Sequence, residues 1–246
     1  MKINYEQRFW EIDFVRGIAI IMMILFHLLY DLNFFNIYKI NLYSGYFLLF
    51  AYIGGTIFIS LVGISLSLSY SRIKRTFSKK QILFKNLLRG LKILGLGMII
   101  TLASWLYLKQ GFIIFGVLHC IGLSIILSYP FLRLRYLNLF FGIILILCGV
   151  ILKNYIFNFY WLIWLGFTPY TFYTVDYYPL LPWFGAVLVG LFLGNTFYPN
   201  YKRKIIIKDF SSIAPLRILI FLGRNSLIIY LLHQPILIGI LYLFLL

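Results

Sequence analysis

Seven stretches of about twenty apolar residues recur along the chain, at about 14–35, 46–70, 86–108, 111–130, 136–153, 179–198 and 224–245. Each has the length of a bilayer-crossing helix. A backbone in lipid must satisfy its own hydrogen bonds, so only a helix bundle or a closed barrel is open to such a chain. The runs are continuous rather than alternating, which selects helices. The expected fold is all-α: a polytopic membrane bundle of about seven transmembrane helices, with eight as the alternative, forming one integral membrane domain over residues 1–246. Composition agrees, since 63% of residues are apolar and only 11% charged. The first apolar run lacks a small-residue cleavage site and carries ionisable groups, so it reads as a retained span.

The net charge of +16 lies mostly between the spans rather than on a soluble face, which excludes nucleic acid as a partner. The segment "SRIKRTFSKKQILFKNLLRGLK" holds eight basic residues, and "YKRKIIIKDF" with Arg217 adds five. Short loops rich in Lys and Arg stay cytoplasmic. With those loops inside, the N-terminus is cytoplasmic and the C-terminus external, in the cell membrane. The aromatic segment 155–167, "YIFNFYWLIWLGF", is too short to cross and is expected to be an interfacial helix. Pro215 to Leu222 is expected to lie along the cytoplasmic surface. Cys120 and Cys148 fall in apolar runs as small hydrophobes, and the sequence has no spacing of metal ligands.

All three histidines fall inside predicted spans, where an ionisable residue is a functional candidate. At a rise of about 1.5 Å per residue, His27 lies about 16 Å beyond Arg16, His119 about 12 Å in from the outer end of its span, and His233 about 14 Å in from Arg224. Around the first helix, His27 stands about 20° and Asp31 about 60° from Arg16, so one face carries all three. Asp31, four residues after His27, is spaced to receive a ring N–H and orient the imidazole, as in many acyl-transfer sites. Arg16 above His27 has the reach of coenzyme A: guanidinium for phosphate, pantetheine arm toward mid-membrane. The plainer role for Arg16 is a pair with Asp13, three residues earlier.

In the last span, "GRNSLIIYLLHQP", Ser226 and His233 share a face and Tyr230 lies one turn before the histidine, while Arg224 points the other way. Asn225, Ser226 and Tyr230 are candidate donors to a carbonyl or phosphate, or else they link helices. His119 stands between Gly116 and Gly122, as a ligand-side donor or a gap-filling side chain. Outside, "TVDYYPLLPWFG" brings Asp176 beside Tyr177, Tyr178 and Trp183, either as an interfacial belt or as a carboxylate among aromatic faces that holds a sugar.

The string "EIDFVRGIAIIMMILFHLLYDL" resembles the opening of prokaryotic membrane proteins related to heparan-alpha-glucosaminide N-acetyltransferase, within the transmembrane acyltransferase superfamily. "FGVLHCIGLS", "DYYPLLPWFGAVLVG" and "GRNSLIIYLLHQP" are similar to further blocks of that family, in the expected order. The resemblance implies an acyl-CoA-dependent N- or O-acetyltransferase. Its donor is acetyl-CoA or another acyl-CoA, without a metal, and its acceptor is an extracytoplasmic glycan or amino sugar. It implies that Arg16 binds acyl-CoA and that His27 is the base or acyl carrier. Asn225, Ser226, Tyr230 and His233 match the closing block, and Asp176 matches the external one. The lysosomal enzyme has an asparagine where His27 stands and a histidine in the loop after its first span; here that loop has none.

Together these expectations name His27, Asp31 and His233 as catalytic, and Arg16, His119, Asn225, Ser226 and Tyr230 as contacts to the coenzyme. His119 and His233 are expected to donate hydrogen bonds to the thioester carbonyl or acceptor. Asp176 and Trp183 are expected to contact the acceptor. Membrane lipid is an expected partner and a homodimer is compatible with the chain. The alternative from another class is a proton-coupled transporter or flippase with a His/Asp relay.

Overall fold

The computed structural model describes residues 8–39, 41, 42 and 44–244. The described residues are all-helical in class, 72% helix, with no strand among them. The helices are α1 (Trp10–Phe34), α2 (Gly45–Ile73), α3 (Lys79–Leu108), α4 (Val117–Leu127), α5 (Tyr136–Leu152), α6 (Leu180–Phe197), α7 (Ala214–Arg224) and α8 (Ser226–Phe244). Five are long and apolar enough to cross a membrane: α1, α2, α3, α6 with the 3-10 turn after it, and α8. The expected span at 136–153 forms the 17-residue α5, at the lower limit for crossing. The expected span at 111–130 is shorter as a helix. Its first residues are irregular, and α4 has 11 residues, about 16 Å of helix.

Two compact units are present, with the boundary inside α2 between Phe58 and Ile59 and again between Ile205 and Ile206. The first to be described holds residues 59–205. Its α3 begins at a capping box: the Ser78 hydroxyl accepts from Gln81 N–H at 3.3 Å, and the Gln81 side chain accepts from Ser78 N–H at 2.8 Å. This satisfies two of the amides that a helix start leaves open. Over half of the most apolar stretch of α6, 56%, is buried within the chain, against 6% for α3. So α6 is the central helix of this unit and α3 turns its apolar side chains outward, as a lipid-facing helix does. Small residues set the crossings, since packing between membrane helices depends on close backbone approach. On α5 and α6, a Cβ on Gly142 would stand 3.0 Å from the Gly185 carbonyl oxygen, and one on Gly185 2.6 Å from that of Gly142.

The segment 155–167 departs from expectation. It is not a helix: it is irregular, with a 3-10 turn at Ile163–Leu165 and Gly166 at φ 123°. Phe157 N–H donates to the Thr168 carbonyl at 3.1 Å, so the chain doubles back on itself. Phe157 and Phe159 both pack on Phe167. Aromatic clustering and the left-handed glycine take the place of helical hydrogen bonds.

The other unit holds α1, the first half of α2, α7 and α8. Pro215 stands in the first turn of α7, where a missing N–H is harmless. This helix crosses α1 with almost no gap: Gly17 lies against the Leu219 carbonyl and Gly223 against the Asp13 carbonyl. Residues 215–222, expected along the cytoplasmic surface, form most of this helix. Helix α8 runs beside α1 at its other end, with Phe35 and Tyr242 edge to face at 5.6 Å.

Candidate active site

Where α1 meets α8, four polar side chains come together in an apolar setting. The His27 and His233 rings lie 4.8 Å apart, nearly perpendicular. His27 Nδ1 is 2.8 Å from the Met23 carbonyl oxygen, and His233 Nδ1 is 2.6 Å from that of Tyr230. A carbonyl can only accept, so each Nδ1 carries a proton, and in the neutral ring each Nε2 keeps a lone pair. Asp31 is 2% exposed, and its Oδ1 accepts from the Gln234 amide nitrogen at 2.6 Å. Asp31 Oδ2, His233 Nε2 and Gln234 Oε1 are buried without a hydrogen-bond partner. Unsatisfied buried acceptors of this kind are uncommon in folded proteins, and a bound water or a ligand is what usually completes them.

Two expected roles change. Asp31 does not orient His27; the carbonyl one turn back, at Met23, does so, while Asp31 is held across the helix pair by Gln234. The imidazole turns toward its own helix because that acceptor is already in reach. Nor can His233 donate to a thioester carbonyl, since its single proton is committed to Tyr230 and its free nitrogen is an acceptor. In this tautomer it is a base. The Tyr230 ring stands 5.5 Å from that of His233.

At the other end of α1, Arg16 Nη1 bonds Asp13 Oδ1 at 2.7 Å, and Arg224 Nε approaches Asp13 Oδ2 at 3.4 Å. Two guanidiniums share one carboxylate, and the planar fork of a guanidinium suits a phosphate. The Arg224 side chain is 48% exposed and that of Arg16 20%. Asn225 caps α7, its amide donating to the Phe221 carbonyl at 2.9 Å, and Ser226 opens α8.

In the other unit, His119 is fully engaged. Its Nδ1 accepts from Gly116 N–H at 3.2 Å, and its Nε2–H points to the Thr101 hydroxyl at 3.3 Å. The ring closes the start of α4 and fills the space beside Gly97 on α3. Neither nitrogen is left for a coenzyme. Trp183, 7% exposed, is packed on Tyr178 at 4.6 Å, a buried place set by the central position of α6 rather than an open face for a sugar.

Asp176 Oδ2 accepts from Val117 N–H at 3.3 Å, at the start of α4. Around it residues 174–178 line the irregular residues 111–115, with Val175 N–H on the Gly111 carbonyl and Tyr178 N–H on that of Phe115, both at 2.9 Å. Burial raises the Asp176 pKa to about 6, and the Val117 hydrogen bond opposes this. A raised carboxyl stabilises the fold most below its ordinary pKa near 4, and that contribution is lost as pH rises through about 6. Asp176→Asn keeps an acceptor for Val117 and removes the titration. Thermal melts of detergent-solubilised protein between pH 4 and 7 are expected to show wild type losing stability relative to the variant as pH rises. Parallel curves would contradict this assignment.

Among the described residues, no group of three or more His, Cys, Asp or Glu side chains is placed to hold a metal. The catalytic family model of heparan-alpha-glucosaminide N-acetyltransferase matches residues 8–235. The chain belongs to this family. It is accordingly a membrane acetyltransferase in general class. Searches of curated proteins and of solved structures give no match. The matched region runs from just before α1 to Pro235 in α8 and so takes in His27, His233, Asp31 and Gln234. Sequence reasoning passed over Gln234, although it adjoins His233 in "HQP"; a second polar residue beside an intramembrane histidine was the available signal. The Asp13–Arg224 contact spans 211 positions, and no local pattern announces it.

Proposed function

We propose that this protein transfers an acetyl or similar acyl group from cytosolic acyl-CoA to an amine or hydroxyl of an extracytoplasmic glycan or amino sugar, in the cell membrane. The observation that carries the reading is the pair of imidazoles on α1 and α8, each with Nε2 left as a base by a backbone-bound Nδ1–H. The acceptor's proton passes to Nε2 as its lone pair attacks the acyl carbon. A C–N or C–O bond forms, the C–S bond breaks, and the departing sulfur takes the proton from the imidazolium. Arg16 binds a coenzyme phosphate about 16 Å from His27 along α1, and Asn225, Ser226 and Tyr230 lie on the approach to His233. Asp176 acts from the external loop. His119 and Trp183 serve by positioning their helices.

The chain works as one domain with seven crossings, α4 and α5 included, and a cytoplasmic N-terminus. The family match extending over both compact units supports the first point. The basic residues between α2 and α3 and those before α7 support the second. In sealed proteoliposomes, label from acetyl-CoA on the face bearing those loops is expected to reach glucosamine held on the opposite face. Arg16→Ala is expected to raise KM for acetyl-CoA about tenfold or more, the scale of one charged hydrogen bond, with little change in KM for glucosamine. Transfer only when both substrates share one face would overturn the sided reading, and an unchanged coenzyme KM would overturn the role of Arg16.

A further inference from the structure

The three unpartnered atoms at the α1/α8 meeting point have one property in common. Asp31 Oδ2 belongs to a carboxylate, Gln234 Oε1 to an amide carbonyl, and His233 Nε2 to an imidazole protonated on its other nitrogen. All three accept hydrogen bonds, and none has a proton to give. His233 and Asp31 are each more than nine-tenths buried, at 8% and 2% exposure, so water in bulk does not serve them. Burying such atoms unpaired is unfavourable. What relieves them must bring hydrogens.

At its reacting end the acyl donor offers only a carbonyl oxygen and a sulfur; its nearest N–H is the pantetheine amide, three bonds beyond the sulfur, so the thioester itself cannot satisfy these atoms. An acceptor that carries an amine beside hydroxyls can, since a neutral amine brings two hydrogens and each hydroxyl one more. From this we infer that Asp31, Gln234 and His233 bind the acyl-receiving group rather than the acyl donor, and that Gln234 is the positioning residue that holds Asp31 for that task. The inference rests on the acyl-transfer reading and assigns one side of its site. Gln234 has two parts to play. Its amide N–H, 2.6 Å from Asp31 Oδ1, occupies one carboxylate oxygen and so leaves Oδ2 for the ligand. Its own Oε1 adds a further acceptor. Hydrogens held by the oxygens fix the nucleophilic atom, and the one directed to His233 Nε2 is the proton that leaves when the new bond to the acyl carbon forms. The opposing negative charge on the acyl oxygen must then be met by donors other than this trio.

Two measurements test this. In the first, labelled acetyl-CoA and glucosamine are varied separately for wild type, Gln234→Leu and Gln234→Glu. Gln234→Leu removes both the N–H and the acceptor; Gln234→Glu keeps the shape and an acceptor oxygen but removes the N–H to Asp31. Both are expected to raise KM for glucosamine about tenfold or more while KM for acetyl-CoA stays within about twofold. An unchanged glucosamine KM, or an equal rise in both constants, overturns the inference. The second reads binding on wild-type protein, apart from turnover. Wild-type protein labelled with 15N-histidine is titrated with glucosamine in the absence of acetyl-CoA, the His233 resonance being assigned by its loss in His233→Gln. Its Nε2 signal is expected to shift as the lone pair accepts a hydrogen bond. A stationary signal in protein that acetylates glucosamine overturns the inference and leaves the acyltransferase reading standing. A shift in protein that transfers no acetyl group supports the inference as a binding site and overturns the acyltransferase reading.

Discussion

Replacing His233 by alanine is expected to lower acetyl transfer by about 10²–10⁴-fold, the usual contribution of a positioned general base, with the helices intact by circular dichroism. His27→Ala is expected to do nearly as much, because the two rings touch at 4.8 Å and work on one proton. Residues that act as a unit lose their effect together, so the double variant should be little worse than the more damaging single one. The assignment depends on tautomer as well as position. With Nδ1–H fixed by Met23 on one helix and Tyr230 on the other, Nε2 is the basic atom in both rings. Initial rates of label transfer from acetyl-CoA check this. Full activity in either alanine variant would remove that histidine from the chemistry.

The second large effect is on folding. Gly223→Val would drive a side chain into the Asp13 carbonyl, and the atoms in the way are backbone on both sides. Neither helix can yield by turning a rotamer. Overpacking of this kind costs about 3 kcal/mol and pushes α7 off α1, which also separates Arg224 from Asp13. Gly17→Val, against the Leu219 carbonyl, should do the same. Gly239→Ala on α8 is the control: a Cβ there meets nothing within 4 Å, and the change should be neutral or add up to about 1 kcal/mol by relieving glycine's backbone entropy. Thermal inactivation in detergent distinguishes these cases. Equal melting of the Gly223 and Gly239 variants would contradict the close crossing of α1 and α7.

The sequence made the helical membrane class plain, because continuous apolar runs near the span length have few other physical outcomes. It also set Arg16, His27 and Asp31 on one face of α1, a matter of 100° steps within one helix. What it could not supply was pairing between helices. The link from Asp31 to Gln234 crosses 203 positions, so the nearer histidine looked like the natural partner. His119 illustrates the same gap: its role depends on the Gly116 amide nearby and also on the Thr101 hydroxyl of α3, 18 residues away. The run at 111–130 read as a full span because Phe112, Ile113, Ile114 and Phe115 are apolar. Yet their backbone groups are taken by Ser104 and by residues 174–178, and the helix starts only at Val117. Hydrophobicity reports the environment of a segment more readily than its hydrogen-bond partners.

The central claim is that the α1/α8 histidine pair carries acetyl transfer. Purified wild-type protein and the His27→Ala/His233→Ala double variant, matched for folding by their melting curves, are each given labelled acetyl-CoA and glucosamine, and acetylated amine is measured over time. Wild type is predicted to accumulate labelled product about 10²–10⁴-fold faster than the double variant. Equal accumulation in both would contradict the account.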